Sequence, residues 1–311
     1  MAEWRNLAEV AVQPEPGRAF TAAGRDSRDH AHFHRDVLRW RTAFAASPAQ
    51  AWALHFEDAA CFAAALYGAW HAGKTVVLPG DALAGTQARL QGRVDGFAGD
   101  WPQATLTAPA DDVSATPLQP LDAEAARLVV FTSGSTGEPV AIEKRLRQLD
   151  AEVHALEAAL GTGLAGATVH GTVSHQHIYG LLFRVLWPLS AGRAIVPRAF
   201  FPEDLLAAMD GQDAVLVASP AHLKRLPAQL DWASLHGRLR AVFSSGGVLP
   251  AEAAHEVSRL LGVSPTEILG SSETGGIAWR RWREEQPAWR ALPGVEWRVQ
   301  EIQDRLLYRQ A

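Results

Sequence analysis

The chain has 311 residues, 48% apolar and 20% charged, with a net charge of −5, the composition of a soluble α/β unit or domain pair with a substantial core. Acidic and basic residues are mixed, which leaves no basic stripe for nucleic acid, and a single cysteine, Cys61, excludes an intrachain disulfide or a cysteine-based zinc site. No apolar run approaches the ~20 residues of a membrane-crossing helix and MAEWRNLAEV is not a signal peptide, so a cytoplasmic location is expected.

Helical spacing begins over residues 32–46, where Phe33, Val37, Trp40 and Phe44 share one face. AWALHFE (51–57) reads as a strand. Residues 58–73 read as a helix with Asp58 as N-cap and Gly73 as C-cap, and KTVVLP (74–79) as a buried strand. The Gly-, Pro-, Asp- and Thr-rich stretch over 80–125 yields no clear element. RLVVFTS (127–133) is a strand; after a short link, Leu146, Leu149, Val153, Leu156 and Leu160 form the stripe of an amphipathic helix. Further strands are expected at 167–174, 193–197 (RAIVP), 214–219, 239–245 and 266–271. Helices are expected from Ile178 to Leu189, from Pro202 to Met209, over 221–230 and over 250–262. Such alternation predicts largely parallel, helix-covered sheets. The tail VEWRVQEIQDRLLYRQ breaks it and predicts two antiparallel strands with a turn near Gln303-Asp304.

Two glycine-rich stretches compete for a phosphate. Gly68 to Thr75 (GAWHAGKT) fits G-x-x-x-x-G-K-[ST]. A working loop of that type leaves a strand and enters a helix N-terminus, whose N–H groups face the anion. Here the order is reversed: Gly68 lies in the last turns of a helix and Lys74 opens a strand. A helix C-terminus offers carbonyls and the negative dipole end, so the match predicts a helix ending at Gly73.

The second stretch, LVVFTSGSTGEP (128–139), has the strand on the correct side. Thr132, Ser133, Gly134, Ser135, Thr136 and Gly137 are all hydroxyl-bearing or glycine. Glycines let backbone approach an anion and hydroxyls add donors, so the loop can wrap phosphates without a lysine; an ordinary strand-to-helix turn remains the alternative. T-S-G-S-T-G-x-P resembles the signature loop of the adenylate-forming superfamily: acyl- and aryl-CoA synthetases, peptide-synthetase adenylation domains and luciferases. Three further stretches resemble motifs of that superfamily in the expected order. VSHQHIYGL (173–181) is similar to the substrate-side motif, FSSGGVLP (243–250) to the adenine-holding strand and loop, and ILGSSETG (268–275) to the motif contacting phosphate and magnesium.

The resemblance implies an α/β fold of two largely parallel, helix-covered sheets facing each other. Residues 1–169 would carry the phosphate loop, 170–285 the adenine and substrate motifs, and 286–311 the start of a small antiparallel β module. It also implies a reaction. A carboxylate attacks the α-phosphorus of ATP, pyrophosphate leaves, and the acyl- or aryl-adenylate passes to CoA or to the phosphopantetheine of an acyl carrier protein. Charge builds on the phosphates, so the site needs fixed donors and Mg²⁺. By the resemblance, Thr132, Ser133, Gly134, Ser135, Thr136 and Gly137 hold the departing pyrophosphate. Ser245, Gly246, Gly247 and Val248 line adenine; His177, Tyr179, Gly180 and Gly270 border the small carboxylic acid. Ser272 and Glu273 contact phosphate and metal, Glu273 being a suitable hard oxygen ligand. Glu273, Ser272 and His177 are the catalytic candidates.

Several positions depart from the family pattern. Val140 replaces the lysine after the loop proline. Of three lysines, Lys74, Lys144 and Lys224, only Lys144 is near enough in sequence to substitute; a surface charge on the following helix is its other reading. Leu269 replaces an aromatic that stacks on adenine, and Ser272 a threonine. The T-G-D ribose motif and the small C-terminal domain with its lysine are absent after Tyr308. The chain therefore resembles the N-terminal domain of a longer acid–thiol ligase, with low or no turnover alone. Its short leader and E-P-x-x-I-x-K-R-L-R-Q-L resemble synthetase-like proteins of bacterial aryl-polyene pigment pathways. Two other functions stay open: a family member that has lost adenylation but binds nucleotide or acyl group, and a P-loop NTPase on GAWHAGKT. His30, His32 and His34 alternate as in a strand-borne metal site, but the spacing after them is helical, where the three diverge.

Overall fold

The computed structural model describes residues 3–22, 27–107, 116–133, 139–283, 285, 287–302 and 305–310. Two compact units emerge, residues 1–153 with 174–199 and residues 154–173 with 200–311. This differs from the expected cut at residue 169, because the segment after Val173 returns to the first unit. There Phe62 packs on His175 with ring centroids 4.9 Å apart, and the Ala59 amide donates to the Pro197 carbonyl at 2.9 Å.

The first unit is built on a five-stranded sheet of order β3-β1-β2-β4-β5, formed by β1 Ala51–His55, β2 Thr75–Leu78, β3 Gly96–Gly99, β4 Arg127–Ser133 and β5 Pro139–Arg145. Strands β1 to β4 are parallel, and β5 returns antiparallel from Ser133↔Pro139 to Arg127↔Arg145. The expected link before the next helix is thus a strand, and the second glycine loop joins a hairpin. Its alternation is readable in hindsight, since Ile142 and Lys144 turn inward while Ala141 and Glu143 are exposed. Within 80–125, β3 escaped sequence reading because GFAG has poor strand propensity. Gly96 is required there: a Cβ would lie 2.6 Å from the Trp52 ring.

Helices α1 His30–Ala45, α2 Ala59–His71 and α3 Ala84–Leu90 belong to this unit; α4 Leu146–Leu160 crosses the division at Val153. Asp29 and Asp58 cap α1 and α2, Asp58 accepting from the Ala60 and Cys61 amides at 2.7 and 2.8 Å. The helices α1 and α2 meet over an aromatic core in which Phe33 lies 5.6 Å edge-on from Tyr67 and 4.8 Å from Phe20. Gly68 faces Trp40 across this contact, and a Cβ there would run into the Trp40 side chain. The last segment holds α5 Ile178–Leu181, a π-helical turn Leu182–Leu186 and α6 Trp187–Ala191. RAIVP forms no strand; Ile195 makes an isolated bridge to Thr21, its hydrogen bonds going to Phe20 and Ala22 of the N-terminal segment.

The second unit holds a six-stranded sheet of order β11-β10-β9-β8-β7-β6. Its strands are β6 Thr168–Gly171, β7 Ala214–Ala218, β8 Leu239–Ser244, β9 Thr266–Ser271, β10 Gly275–Arg281 and β11 Arg290–Ala291. Strands β6 to β9 are parallel; β10 and β11 turn back antiparallel. Helices α7 Leu205–Met209, α8 Pro220–Leu223 and α9 Ala251–Leu261 accompany them. The helix expected to reach residue 230 stops after one turn, consistent with Pro227 being unable to continue it. By contrast α9 runs to Gly262, whose φ of 69° gives the left-handed C-terminal cap. The expected tail hairpin is present as β12 Trp297–Ile302 paired with β13 Arg305–Gln310, and Gln303-Asp304 lie outside the described residues. Among the described residues no helix is long and apolar enough to cross a membrane.

Candidate functional site

Open α/β sheets bind ligands beyond the carboxyl ends of their parallel strands. In the first unit that edge carries His55 at the end of β1, Gly80-Asp81 after β2, Asp100-Trp101 after β3, and Thr132-Ser133 closing β4. The segment Ser174–His177 is held against it. His175 is buried; burial and then the Arg184 charge push its pKa down to about 3. The Gln176 Nε2 lies 3.1 Å from the Phe56 carbonyl, to which it donates, and 3.0 Å from His175 Nε2. That nitrogen accepts, so the imidazole is neutral. These bonds fix His177, whose ring packs on Gly80: a Cβ on Gly80 would stand 3.2 Å from His177 Cε1. Burial lowers the pKa of His177, and Asp81 opposes the shift. His55 is likewise lowered by burial against the charges of Asp100, Glu57 and Asp81, and its Nδ1 is buried with no partner among the described residues. Asp81 itself is held ionised by a hydrogen bond from Thr86 and by the Leu83 amide at 3.0 Å. Tyr179 stacks obliquely on Phe183, ring centroids 4.9 Å apart. Gly180 is obligatory, since a Cβ would run into the Ser174 carbonyl. The edge thus presents neutral imidazoles, which can donate to a carboxylate without forming a fixed ion pair.

Gly134, Ser135, Thr136 and Gly137 lie outside the described residues, as do the side chains of Thr132 and Ser133. The backbones of Thr132 and Ser133 pair with Val140 and Pro139 at the mouth of the β4–β5 hairpin. Lys144 pairs with Leu128, five ladder positions below Ser133↔Pro139, or ~17 Å along the strand. Its side chain is buried. It therefore lies inside β5 rather than on the surface of the helix that follows.

In the second unit the carboxyl edge of β8 runs into Ser245-Gly246-Gly247-Val248-Leu249 before α9. Gly246 takes a φ of 81°, and Val248 is 76% exposed. Two bonds tie this loop to β9: Ser245 Oγ donates to the Ile268 carbonyl, and the Leu249 amide donates to Glu267 Oε1, both at 2.9 Å. The other Glu267 oxygen accepts from Arg280 Nε at 2.8 Å and Trp282 Nε1 at 3.2 Å. Arg280 is in turn sandwiched between Trp282 and Trp289, 4.6 and 4.4 Å from their ring centroids. Glu267 is 2% exposed, a buried carboxylate with all its charge matched. Sequence reading missed it; an acid inside the apolar run TEIL was the available signal.

Beside this loop β9 and β10 form a hairpin. Gly270 faces Gly276, and a Cβ on it would run into the Gly275 carbonyl. Ser271 and Thr274 close the turn through reciprocal 3.2 Å bonds between each amide and the other hydroxyl. Ser272 and exposed Glu273 occupy its tip. One exposed carboxylate suits Mg²⁺, which keeps several waters and takes its remaining oxygens from phosphates rather than from a protein cage. A further polar pair lies at the edge of β6 and β7, where His222 Nδ1 is 2.8 Å from Thr172 Oγ1.

The two competing motifs have structural accounts. Gly73 caps α2 with a φ of 71°, and the Lys74 ammonium donates to the Ser47 carbonyl at 2.9 Å, buried. His30, His32 and His34 open α1 with separate partners: the Val10 carbonyl at 2.6 Å, Asp29 at 2.6 Å and the Ala11 carbonyl at 2.8 Å.

Residues 81–308 match the family described as AMP-binding enzyme, and the chain belongs to that family. Over 165 residues it is 36% identical to a 4-coumarate–CoA ligase of Rhodobacter capsulatus, covering 51% of this chain and 40% of that protein. The fold is also that of ATP-bound MatB from Rhodopseudomonas palustris, at a TM-score of 0.76 and 20% identity over 97% of this chain and 67% of the other. The amide bond synthetase McbA from Marinactinospora thermotolerans gives a TM-score of 0.74 at 18% identity, covering 99% and 69%. The chain thus spans about two-fifths of the curated relative and two-thirds of the solved chains.

Proposed function

We propose that this chain is the ATP- and carboxylate-binding part of an AMP-forming ligase acting on an aryl carboxylic acid. The observation that carries the reading is the family membership over residues 81–308, a span that contains all four motifs. The likeness to a 4-coumarate–CoA ligase supports an aryl acid and a thiol acceptor; CoA, a carrier-protein phosphopantetheine and a place in aryl-polyene synthesis belong to the same proposal.

Each residue set has a part. The hydroxyls and amides from Thr132 to Gly137 cradle the phosphates that depart as pyrophosphate. The Ser245–Val248 backbone, held open by Gly246 and Gly247, lies along the base. Neutral His177 donates to one oxygen of the acid while the other attacks the α-phosphorus; Tyr179, Gly180 and Gly270 shape its surroundings. Ser272 donates to phosphate, and Glu273 would hold Mg²⁺, which supplies charge neutralisation when bound. No side chain becomes a nucleophile; positioning and fixed dipoles supply the catalysis.

The test is exchange of labelled pyrophosphate into ATP, dependent on an added acid, by the longer ligase that would carry this chain. Cinnamate- and benzoate-type acids should support exchange where acetate does not. Glu273→Gln should reduce it by ~10²–10³, the scale of losing one transition-state stabiliser. Mg-ATP binding without exchange for any acid would instead favour a member that has lost adenylation, a reading that Val140, half-exposed at the loop's exit in place of a lysine, specifically suits.

A further inference from the structure

A second cleft lies in the second unit at the opposite edge of its sheet, where β8 and β9 begin. Its volume is about 350 Å³. Arg240, Arg281 and Arg283 converge on it, with Val263, Ser264 and Thr266 completing the wall. The placement follows from the ladder: Arg240 is the second residue of β8, Thr266 the first of β9, and Arg281, the last of β10, pairs across to Thr266.

The charges are unbalanced. Arg240 is paired with Asp213 at 2.7 Å. Arg281 has no carboxylate partner among the described residues; its Nε donates to Thr266 Oγ1 at 3.0 Å, which fixes the guanidinium plane and leaves its terminal nitrogens unused. Arg283 is exposed. Arg281 and Arg290 both lie over the Trp279 ring, 5.9 and 5.3 Å from its centroid, which gathers the cations further. Burial, and then the nearby charges of Arg283 and Arg290, depress the Arg281 pKa. The C-terminus of α9 at Gly262 offers only partial negative charge.

We propose that this cleft is a binding site for a phosphate dianion, separate from the nucleotide motifs. Guanidinium forks match the tetrahedral oxyanion, and an anion between Arg281 and Arg283 relieves their repulsion while the Ser264 hydroxyl adds a donor. Phosphate can arrive free or as the end group of a small phosphomonoester, whose organic part would rest on Val263 and Ala241.

The test follows the arginine Nε–Hε resonances of the labelled chain during titration with inorganic phosphate and, separately, phenyl phosphate. Saturable shifts at Arg281 are expected, with affinity falling at least tenfold in Arg281→Gln and in Arg283→Gln. Arg283 is exposed, so its variant keeps the test valid if Arg281→Gln folds poorly. Tighter binding of phenyl phosphate would assign a phosphomonoester, and tighter binding of inorganic phosphate the free ion; either upholds the site. Absence of a saturable shift up to millimolar ligand, or an unchanged affinity in Arg283→Gln, would overturn it.

Discussion

His175 should make the chain sensitive to mild acid, and the sign follows from its burial. In the fold the ring stays neutral down to about 3, whereas in the unfolded chain it takes up a proton near 6.5. Between those values the unfolded state binds more protons, so stability is complete above 6.5 and declines as the pH falls. Each pH unit is worth ~1.4 kcal/mol, so acidification to pH 5 removes ~2 kcal/mol through this one residue. His175→Gln keeps a polar group beside Gln176 but cannot titrate. It should lose ~1–3 kcal/mol at pH 7 through poorer hydrogen bonding, and less than the wild type on further acidification. Other buried histidines, such as His71, lowered by burial to about 4, titrate alike in both proteins and cancel. Urea unfolding at pH 7, 6 and 5 reads the gap between them, provided the m-values agree. The gap should narrow by ~2 kcal/mol. Parallel curves would refute the argument and mean that His175 is hydrated or charged in the fold.

Three other outcomes follow from the geometry. Glu267→Gln leaves the half-buried Arg280 without its counter-charge and should cost ~2–4 kcal/mol in urea unfolding, with looser Leu249 and weaker nucleotide binding. Gly270→Ala drives a Cβ into the Gly275 carbonyl and should cost ~1–3 kcal/mol, whereas the same change at Gly247, with only Pro220 at 3.8 Å, should be far milder. Gly68→Ala should destabilise by a similar ~1–3 kcal/mol because it meets Trp40, although alanine is the better helix former; thermal unfolding reads the sign, and Mg-ATP affinity should not change.

Where the pattern was local, it was legible. The stripe from Leu146 to Leu160 and the cap at Gly73 needed only periodicity and turn chemistry. The reversed order around GAWHAGKT was enough to reject a P-loop, and Gly68 proves to serve a helix contact. What stayed hidden depended on partners distant in sequence. GFAG becomes a strand because the Trp52 ring covers Gly96, and GGIAWRR because it folds back on β9. Ser174–Ala199 joins the first unit through contacts with α2 and the N-terminal segment, which no spacing rule announces. The candidate site divided in the same way. His177, Gly180, Ser245 and Gly270 stood out through their motifs, but Glu267, His55 and Gly80, which hold or border them, carry no motif. Lys144 was misplaced because the strand before α4 was not seen.

The account rests on nucleotide binding at the second glycine loop rather than the first. Calorimetric titration of Mg-ATP into the chain, Thr136→Val and Lys74→Ala tests this directly. The expected result is binding to the unmodified chain and to Lys74→Ala, with Thr136→Val weakened at least tenfold, or ~1.4 kcal/mol. Loss of binding in Lys74→Ala alone, with Thr136→Val unaffected, would contradict it.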